Sequence, residues 1–213
     1  ELQKYFVRKG KIFSIEIIRK ALKEMGAHYV KAIIQFPEAD EKERLAFARK
    51  FIKQEKSANA VVLFEDEMSM ETSARKGYGW TLEERLVVIA PQSHYNRVNL
   101  FGAVSPYTGE TIEMASTNAK ADSYVKYLNK VARVHPRKRV WLYQDNTRVH
   151  KSKKVEKFLS KHLNIQLRYM PKYSPELNPR EYWHGFLRKK LLNNNSYEST
   201  RALIGAVHSF TRN

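Results

Sequence analysis

The sequence of 213 residues contains no cysteine, only eight glycines and seven prolines, and 22 acidic residues against 39 basic ones. Without cysteine the chain has no disulfide, no zinc ribbon and no thiol nucleophile, a composition that fits a cytosolic protein. The small share of glycine and proline excludes the collagen-like and low-complexity classes. No run approaches ~18 apolar residues, and the first residues lack the pattern of a secretory signal, so we expect no membrane span and no export.

What the chain does contain is enough apolar and positively charged material for a folded protein with a polyanionic partner. Hydrophobic residues make up 42% and aromatic residues 12% of the chain, which excludes a disordered tail. The length suits one domain of ~150–180 residues with a small appendage. The net charge of +17 favours nucleic acid as the partner, because neutralising phosphates releases condensed counterions. The alternative is a basic surface that is merely solvated.

Residues 1–36 form a basic N-terminal piece with eight Lys and Arg against three Glu. Ser14 is a favourable N-cap for a helix that we predict to run to about Met25, and Gly26 follows where helices commonly end. Such a helix is typical of the C-terminal part of a helix-turn-helix DNA-binding region, and an ordinary amphipathic helix docked on the main domain is the alternative. We therefore divide the chain into a DNA-binding piece plus linker, 1–36, and a main domain, 37–213.

The main domain alternates between apolar, strand-like runs and amphipathic helical segments. Strands are predicted at 60–64, 85–90, 98–105, 111–114, 140–143 and 165–169. Helices are predicted at 38–55, 121–134, 151–162, 181–192 and 198–210. An initial meander followed by helix, strand, helix, strand and closing helices predicts an α/β fold with a mixed sheet.

Three acidic side chains stand where a metal site is expected. Asp66 and Asp145 each follow a strand predicted to be buried, and Glu181 begins a helix after a proline-rich loop. Ligands gather at the carboxyl ends of such strands, and a buried carboxylate is stabilised by a nearby cation. Oxygen ligands without a His-Cys cluster favour Mg²⁺ or Mn²⁺ over zinc. In a basic protein this set indicates two-metal phosphodiester chemistry, whereas each acid taken singly could equally cap a turn or pair with a lysine.

Three segments carry a resemblance to a known family: Phe64-Glu65-Asp66-Glu67, Gln144-Asp145-Asn146-Thr147-Arg148-Val149-His150-Lys151 and Met170-Pro171-Lys172-Tyr173-Ser174-Pro175-Glu176-Leu177-Asn178-Pro179-Arg180-Glu181. They resemble the three acidic motifs of the mariner superfamily transposases, and the bacterial insertion-sequence branch is the most similar. The third motif is the most specific, because Trp183 follows it as in the family. The resemblance covers about residues 37–205. One departure is Leu82-Glu83-Glu84, where the family commonly has a glycine after a Tyr-x-Trp segment.

The resemblance implies a ribonuclease-H-like fold, similar to that of retroviral integrases, with a mixed five-stranded sheet flanked by helices. It also implies that Asp66, Asp145 and Glu181 are the catalytic acids and hold two Mg²⁺ or Mn²⁺ ions. Strand alternation indicates only that Asp66 faces away from Glu65 and Glu67, and the family pattern selects Asp66. Glu67 matches a second acid that is frequent in the family, and we predict that it supports the site.

Two residues that follow Asp145 are also predicted to support it. His150 matches a position where the family often has histidine, and we predict that it orients a metal ligand. The alternatives for His150 are a phosphate contact and a local hydrogen bond at the start of a helix. Asn146 is predicted to cap the helix at 151–162, with a contact to the neighbouring carboxylate as the alternative.

Basic residues concentrate around Asp145. Residues 133–172 contain twelve Lys and Arg against two acids, a net charge of +10. Helical spacing places three lysines of the helix at 151–162 on one face, and a fourth lies on the loop that leads to Glu181. Contacts to DNA phosphates position a protein without reading sequence. We predict such contacts, with a solvated helix face as the alternative for at least half of them, from Arg148, Lys151, Lys154, Lys161 and Lys172.

The resemblance implies a metal-dependent DNA transposase, an endonuclease and strand transferase of the bacterial cytoplasm and nucleoid. It would cleave phosphodiesters at transposon ends and join the freed 3′-hydroxyls to target DNA by a cut-and-paste route, with insertion at a TA step. Its partners would be double-stranded DNA, as transposon ends and as target, and a second copy of the chain on paired ends. The alternatives are a ribonuclease-H-like nuclease without strand transfer and a non-catalytic DNA-binding relic, against which the three intact acids argue.

Overall fold

Seven α-helices and five strands make up the part of the chain that the computed structural model describes, residues 2–28, 37–55, 59–79, 89 and 92–211. The strands are β1 (Ala60–Glu71), β2 (Arg97–Val104), β3 (Thr111–Ser116), β4 (Arg139–Gln144) and β5 (Ile165–Tyr169). The helices are α1 (Leu2–Arg8), α2 (Ile15–Glu24), α3 (Glu41–Glu55), α4 (Ala121–Val134), α5 (Lys153–Leu159), α6 (Pro179–Leu191) and α7 (Thr200–Thr211). The chain divides into two compact units, Glu1–Pro37 and Glu38–Asn213.

The N-terminal unit contains α1, which the sequence analysis did not predict, and α2. The Ser14 hydroxyl accepts a hydrogen bond from the backbone N–H of Ile17 at 3.2 Å, so α2 begins directly after the predicted N-cap. Beyond the end of the helix, Gly26 has a φ of +77°, in the left-handed region that favours glycine. A role for this unit in DNA binding stays a prediction.

The five strands of the second unit form one mixed sheet in the order β3-β2-β1-β4-β5. The pairs β1–β2 and β2–β3 are antiparallel, whereas β1–β4 and β4–β5 are parallel. Parallel neighbours need a crossover connection. α5 supplies it between β4 and β5, and α4 lies in the connection that carries the chain from β3 to β4, beside β1. The predicted mixed five-stranded sheet flanked by helices is therefore confirmed.

Alternate residues of β1 face opposite layers of helices. Leu63 belongs to a buried cluster with residues of α4 and α5. Phe64 packs against Phe51 of α3, and further along the same face Met68 packs with residues of α6 and α7. Asp66 thus lies on the face between the α3 and α6 layers, and its two neighbours in the strand point toward α4 and α5.

β1 is longer than the strand predicted at 60–64, since it runs to Glu71. Its parallel pairing with β4 ends at Phe64, but its antiparallel pairing with β2 continues to the last residue. Asp66 therefore lies inside β1, beyond the point where one of its two partner strands stops, and not after the end of the strand. The strand predicted at 85–90 lies outside the described residues except for its residue 89, as does the departure from the family pattern at 82–84.

The helix predicted at 151–162 is replaced by two shorter elements. A 3₁₀ turn covers Val149–Lys151, Ser152 has an extended backbone with a ψ of 150°, and α5 covers only Lys153–Leu159. The other helices and strands predicted in the main domain agree with the described structure to within three residues at each end. None of the described helices is both long enough and apolar enough to span a bilayer.

Candidate active site

The sheet register brings Asp66 and Asp145 side by side. Phe64 of β1 and Tyr143 of β4 form the last aligned pair of the two parallel strands, and each aspartate follows two residues later. The rings of Phe64 and Tyr143 stack at a centroid distance of 5.1 Å, so they share a face of the sheet. Side chains two residues apart in a strand point the same way, so Asp66 lies toward that face. Asp145 is one residue past the end of β4, and its charge acts on Asp66.

The start of α6 is tied to β1 through Asn178. Its Oδ1 accepts a hydrogen bond from the Arg180 backbone N–H at 3.0 Å, which makes Asn178 the N-cap of the helix. Its Nδ2 donates to the carbonyl of Glu65 at 3.1 Å. Pro179 occupies the first helical position, where no N–H is needed. The Asn-Pro-x-Glu part of the third motif therefore anchors Glu181, in the first turn, against the strand that carries Asp66.

The carboxylates of Asp66 and Glu181 lie close together. Their oxygens and a ring nitrogen of His184 are all within 4.8 Å of one another. Burial, followed by repulsion from Glu181 and Glu67, raises the pKa of Asp66 to about 7, and Asp145 adds to the repulsion. A divalent cation would relieve this repulsion, and carboxylate oxygens are the donors that Mg²⁺ and Mn²⁺ prefer. The residues present therefore fit a metal site.

His150 bridges Asp145 and Glu67. Its Nδ1 lies 3.2 Å from Asp145 Oδ1, and its Nε2 lies 3.2 Å from Glu67 Oε1. Burial by itself lowers the pKa of His150, but hydrogen bonds to Asp145 and then to Glu67 outweigh it and raise the pKa to about 10. The ring is therefore an imidazolium, and it packs on Tyr124 at a centroid distance of 4.4 Å. This contact is what an orienting role requires, and the role itself stays a prediction.

Asp145 is held ionised by its neighbours. Burial by itself raises the pKa of Asp145, but the His150 hydrogen bond and the Thr147 backbone N–H, which donates at 3.0 Å, together lower the pKa below its ordinary value. The side chain is 51% exposed, so it is accessible from solvent. Asp66 and Asp145 thus stand side by side with pKa values shifted in opposite directions.

Glu65 is a buried acid that the sequence analysis did not assign to the site. It is fully buried, and its carboxylate oxygens accept no hydrogen bond from the described residues. Burial and then the charge of Glu67 raise the pKa of Glu65 well above its usual range, which favours the protonated form. Glu65, Glu67 and His150 place donor atoms within 4.8 Å of one another, but the positive charge of His150 already lies in this cluster and disfavours a cation there.

Asn146 does not cap a helix, and the prediction that it does is wrong. The helix α5 begins at Lys153, with Ser152 at the N-cap position, because the extended backbone of Ser152 separates it from the preceding turn. Asn146 instead donates from Nδ2 to the carbonyl of Met170 at 3.0 Å, and its Oδ1 accepts from Lys151 Nζ at 2.7 Å. It thereby links the end of β4 to the residue that follows β5, beside Asp145.

The five cations predicted to contact DNA are all exposed. Lys154 forms an ion pair with Asp122, at 2.7 Å to each carboxylate oxygen, and Lys151 lies over the ring of Tyr169 at 4.8 Å. The side chains of the other three form no ion pair or hydrogen bond with the described residues. The predicted common helix face for three of the lysines is wrong, because α5 includes only one of them, Lys154. Their contact with DNA stays a prediction.

His184 is a residue of the site that the sequence analysis missed. It follows Glu181 by three positions in α6, on the same side of the helix, and its Nδ1 lies 3.7 Å from Asp66 Oδ2. Burial, followed by the positive charges of Arg180 and Arg188, lowers the pKa of His184 to about 3, so the ring is neutral. The spacing of three residues from Glu181 was the signal that could have found it.

Comparison with known proteins shows which family and fold the chain is similar to. The insertion element IS630 uncharacterized 39 kDa protein of Shigella sonnei is 25% identical over 178 residues, 83% of this chain and 51% of the relative, so the chain spans about half the length of that relative. The Mos1 transposase paired-end complex with left transposon end superposes with a TM-score of 0.68 at 18% identity, over 100% of this chain and 67% of that one. The catalytic domain of Mos1 mariner transposase superposes with a TM-score of 0.59 at 15% identity, over 86% and 85%.

The likeness to these structures confirms the predicted ribonuclease-H-like fold, since the same five-stranded architecture is matched at both TM-scores. The family described as DDE superfamily endonuclease matches residues 61–204, which is well over half of the chain and includes all three predicted catalytic acids. The resemblance found in the acidic motifs is thereby confirmed, and the chain belongs to the DDE superfamily of endonucleases.

Proposed function

We propose that this chain is the catalytic part of a DNA transposase that cleaves phosphodiesters at transposon ends and joins the freed 3′-hydroxyls to target DNA. The observation that carries the proposal is the convergence of Asp66, Asp145 and Glu181 at one edge of the sheet. The net charge of +17 supports DNA as the substrate. Solved complexes of Mos1 transposase with a transposon end and after strand transfer add support from the same fold. A cut-and-paste route, insertion at a TA step and a homodimer on paired ends belong to this proposal.

The proposed metal ligands are Asp66, Asp145 and Glu181, holding two Mg²⁺ or Mn²⁺ ions. Paired-end complexes of Mos1 have been solved with Mg and with Mn, which supports this choice of metal. When bound, such ions lower the pKa of the attacking water or hydroxyl and stabilise the charge on the leaving oxygen. The two pKa shifts suit this role, because Asp145 is held ionised and Asp66, whose pKa is about 7, would readily lose its proton beside a cation.

The chain itself orients these carboxylates and exposes them to DNA. The imidazolium of His150 and the Thr147 N–H hold Asp145, and the Glu67 backbone N–H donates to Asp66 Oδ1 at 2.9 Å.

Arg148 and Lys172 are exposed cations that follow the carboxyl ends of β4 and β5, and they would contact the phosphates on either side of the scissile bond. Lys151 and Lys154 would join them if their present contacts open. Lys161 lies between the end of α5 and the start of β5, at the opposite end of the sheet from Asp145, so it is not among these contacts.

The test compares Asp145→Asn with the unaltered chain on duplex DNA taken from the terminal repeats that flank its coding gene, in Mg²⁺ and in Mn²⁺. We expect strand cleavage to fall by about a thousandfold, because the substitution removes one anionic ligand without changing the shape of the side chain. Glu198→Gln is the matched control, since Glu198 is an exposed acid outside the site. Full activity of Asp145→Asn, with a thermal transition equal to that of the control, would contradict the proposal.

A nuclease without strand transfer is the second candidate, because the matched family is described as an endonuclease and the chain spans about half of its IS630 relative. The two functions separate when a duplex with a free 3′-hydroxyl end is supplied together with a supercoiled plasmid. Covalent joining of the end to the plasmid supports the transposase, whereas nicking without joining supports the nuclease. Tight DNA binding without any Mn²⁺-dependent cleavage would instead support a non-catalytic relic.

A further inference from the structure

A row of three residues crosses the sheet beneath α6. Asp66 of β1 is aligned with Gly102 of β2, and Gly102 is aligned with Glu113 of β3. Aligned residues of neighbouring strands point to the same face, so two carboxylates flank a position that has no side chain. The absence of a side chain at Gly102 leaves a space on the sheet between Asp66 and Glu113.

Arg180 of α6 fills that space. It has no exposed surface, and its guanidinium forms two parallel hydrogen bonds to the carboxylate of Glu113, which is itself buried. A Cβ atom at position 102 would overlap both the guanidinium and this carboxylate, so only glycine is compatible with the pair. Trp183 donates from Nε1 to the same carboxylate at 3.1 Å. The fold therefore holds a charged arginine in one place beside the site.

The remaining donor of this guanidinium determines where the proton of His184 lies. Arg180 Nε donates to His184 Nε2 at 3.0 Å. A guanidinium has donors only, so Nε2 must carry the lone pair and the single ring proton must be on Nδ1. Nδ1 faces Asp66 Oδ2 across 3.7 Å. A continuous chain of contacts thus runs from Glu113 through Arg180 and His184 to Asp66.

We propose that Glu113, Arg180 and His184 are positioning residues for Asp66, and that His184 presents an N–H to this carboxylate and is not a metal ligand. The inference rests on the proposed function, in which Asp66 holds a divalent cation. The distance alone would allow coordination, since His184 Nδ1 lies within 4.8 Å of oxygens of both Asp66 and Glu181. The hydrogen bond from Arg180 excludes it, because the nitrogen on that side carries the proton. The site is thereby restricted to oxygen ligands, the preference of Mg²⁺.

The first test reads the tautomer of His184 in the metal-free chain, without any activity assay. A long-range ¹H–¹⁵N correlation spectrum of the intact chain labelled in histidine distinguishes the two neutral tautomers, and His184→Asn assigns the signal. We expect the Nδ1–H form. An Nε2–H tautomer or a protonated ring at neutral pH would overturn the proposal.

The same spectrum tests the roles of Arg180 and Glu113. The double variant Arg180→Met with Glu113→Leu removes both buried charges together, which spares the fold the unpaired charge that either single change would leave. Because no side chain then donates a hydrogen bond to Nε2, we expect the Nε2–H tautomer to be populated beside the Nδ1–H tautomer. A well-folded double variant that retains the Nδ1–H form alone would show that Arg180 does not set the tautomer.

The second test measures Mn²⁺ binding by the intact chain without DNA. His184→Leu removes the N–H, and we expect the dissociation constant for Mn²⁺ to rise by about tenfold or more, as is common when a partner of a ligating carboxylate is lost. His184→Asn places an amide N–H where Nδ1–H was, and we expect it to restore binding to within about threefold of the unaltered chain. An unchanged constant in His184→Leu, or equal weakening in both variants, would contradict the positioning role.

Pulsed electron paramagnetic resonance of bound Mn²⁺ separates positioning from coordination. We expect no coupling from a directly bound imidazole nitrogen in the unaltered chain, and the presence of that coupling would overturn the proposal. If the unaltered chain binds no Mn²⁺ at all, the proposed metal-dependent function fails. The tautomer spectrum still decides the assignment of His184 in that case, so the two failures are distinguishable.

Discussion

His150 and His184 lie on opposite sides of β1, and each contacts one of two neighbouring aspartates. The ring of His150 is positively charged, whereas the ring of His184 is neutral. His150 faces Asp145, Glu67 and Glu65, and the acids raise its pKa to about 10 despite burial. His184 is just as buried, and burial, followed by the positive charges of two arginines, lowers its pKa to about 3. Burial disfavours the charged form of both rings, so the sign of the neighbouring charges decides the outcome.

The comparison extends to the two aspartates. Asp145 receives a hydrogen bond from an imidazolium and is ionised. Asp66 faces a neutral ring, and burial, followed by repulsion from Glu181 and Glu67, raises its pKa to about 7. The charge of Asp145 is therefore balanced by His150 in the free protein, whereas no positive charge balances Asp66 among the groups that shift its pKa. A cation has most to gain beside Asp66.

The largest effect on stability is expected from removing Arg180, which lies beside His184. Arg180→Met leaves the buried carboxylate of Glu113 unpaired, and we expect the free energy of unfolding to fall by about 3–5 kcal/mol. Adding Glu113→Leu removes the orphaned charge and should recover most of that loss. Urea denaturation of both variants measures the two values, with Arg201→Met as the control because Arg201 is exposed on α7. Equal losses in the single and double variants would contradict this account.

The next effect concerns the pH dependence contributed by His150. Its pKa is raised from 6.5 to about 10, so its contribution to stability is fully present below pH 6.5 and is lost as the pH rises through 10. In His150→Gln we expect a loss of about 1.5–3 kcal/mol at pH 7, the value of hydrogen bonds to charged groups, and a flatter decline between pH 7 and pH 10. Chemical denaturation across this range, for both chains, measures the difference. Parallel pH profiles would show that His150 is not charged in the folded state.

The smallest effect is expected on the acid side, from His184. Its pKa is lowered from 6.5 to about 3 by folding. Below pH 6.5 the unfolded chain therefore binds a proton at this residue and the folded chain does not, so His184 lowers the free energy of unfolding as the pH falls. His184→Asn should lose about 1.5 kcal/mol at pH 7, the lower end of the range for a hydrogen bond to a charged group, because it removes the acceptor of the Arg180 guanidinium. The variant should also decline less than the unaltered chain between pH 6.5 and pH 4. Chemical denaturation of both chains in acetate buffers measures this difference in pH dependence. A shared acid profile would contradict the neutral state assigned to this ring.

The elements that sequence reasoning placed well are those whose patterns are local. The helical spacing at 121–134 and the apolar runs of β4 and β5 required no knowledge of distant residues, and α4, β4 and β5 match them closely. β1 was cut short because its second half is stabilised by pairing with β2, some thirty residues away. The predicted helix at 151–162 is longer than α5, although its sequence contains Ser152, a residue type that is favoured at N-caps.

The residues of the candidate site also fall into those predicted from local motifs and those that only the sheet register brings together. The resemblance of the three acidic motifs predicted Asp66, Asp145 and Glu181 as the catalytic acids, and His150 as a supporting residue. Glu113 and Arg180 were missed because they are 67 residues apart in the chain and meet only through the register of β2 and β3. Asn146 was assigned a local partner, whereas its actual partner, the carbonyl of Met170, belongs to another strand connection.

By itself the sequence determined the composition, the positive charge, the α/β class and the acidic motifs, because each of these depends on residues that are close together in the chain. Only the tertiary structure decided that His150 is charged and His184 neutral, and that Gly102 makes room for Arg180. Charge states and close approaches depend on which side chains the sheet register brings together across space, and no local pattern carries that information.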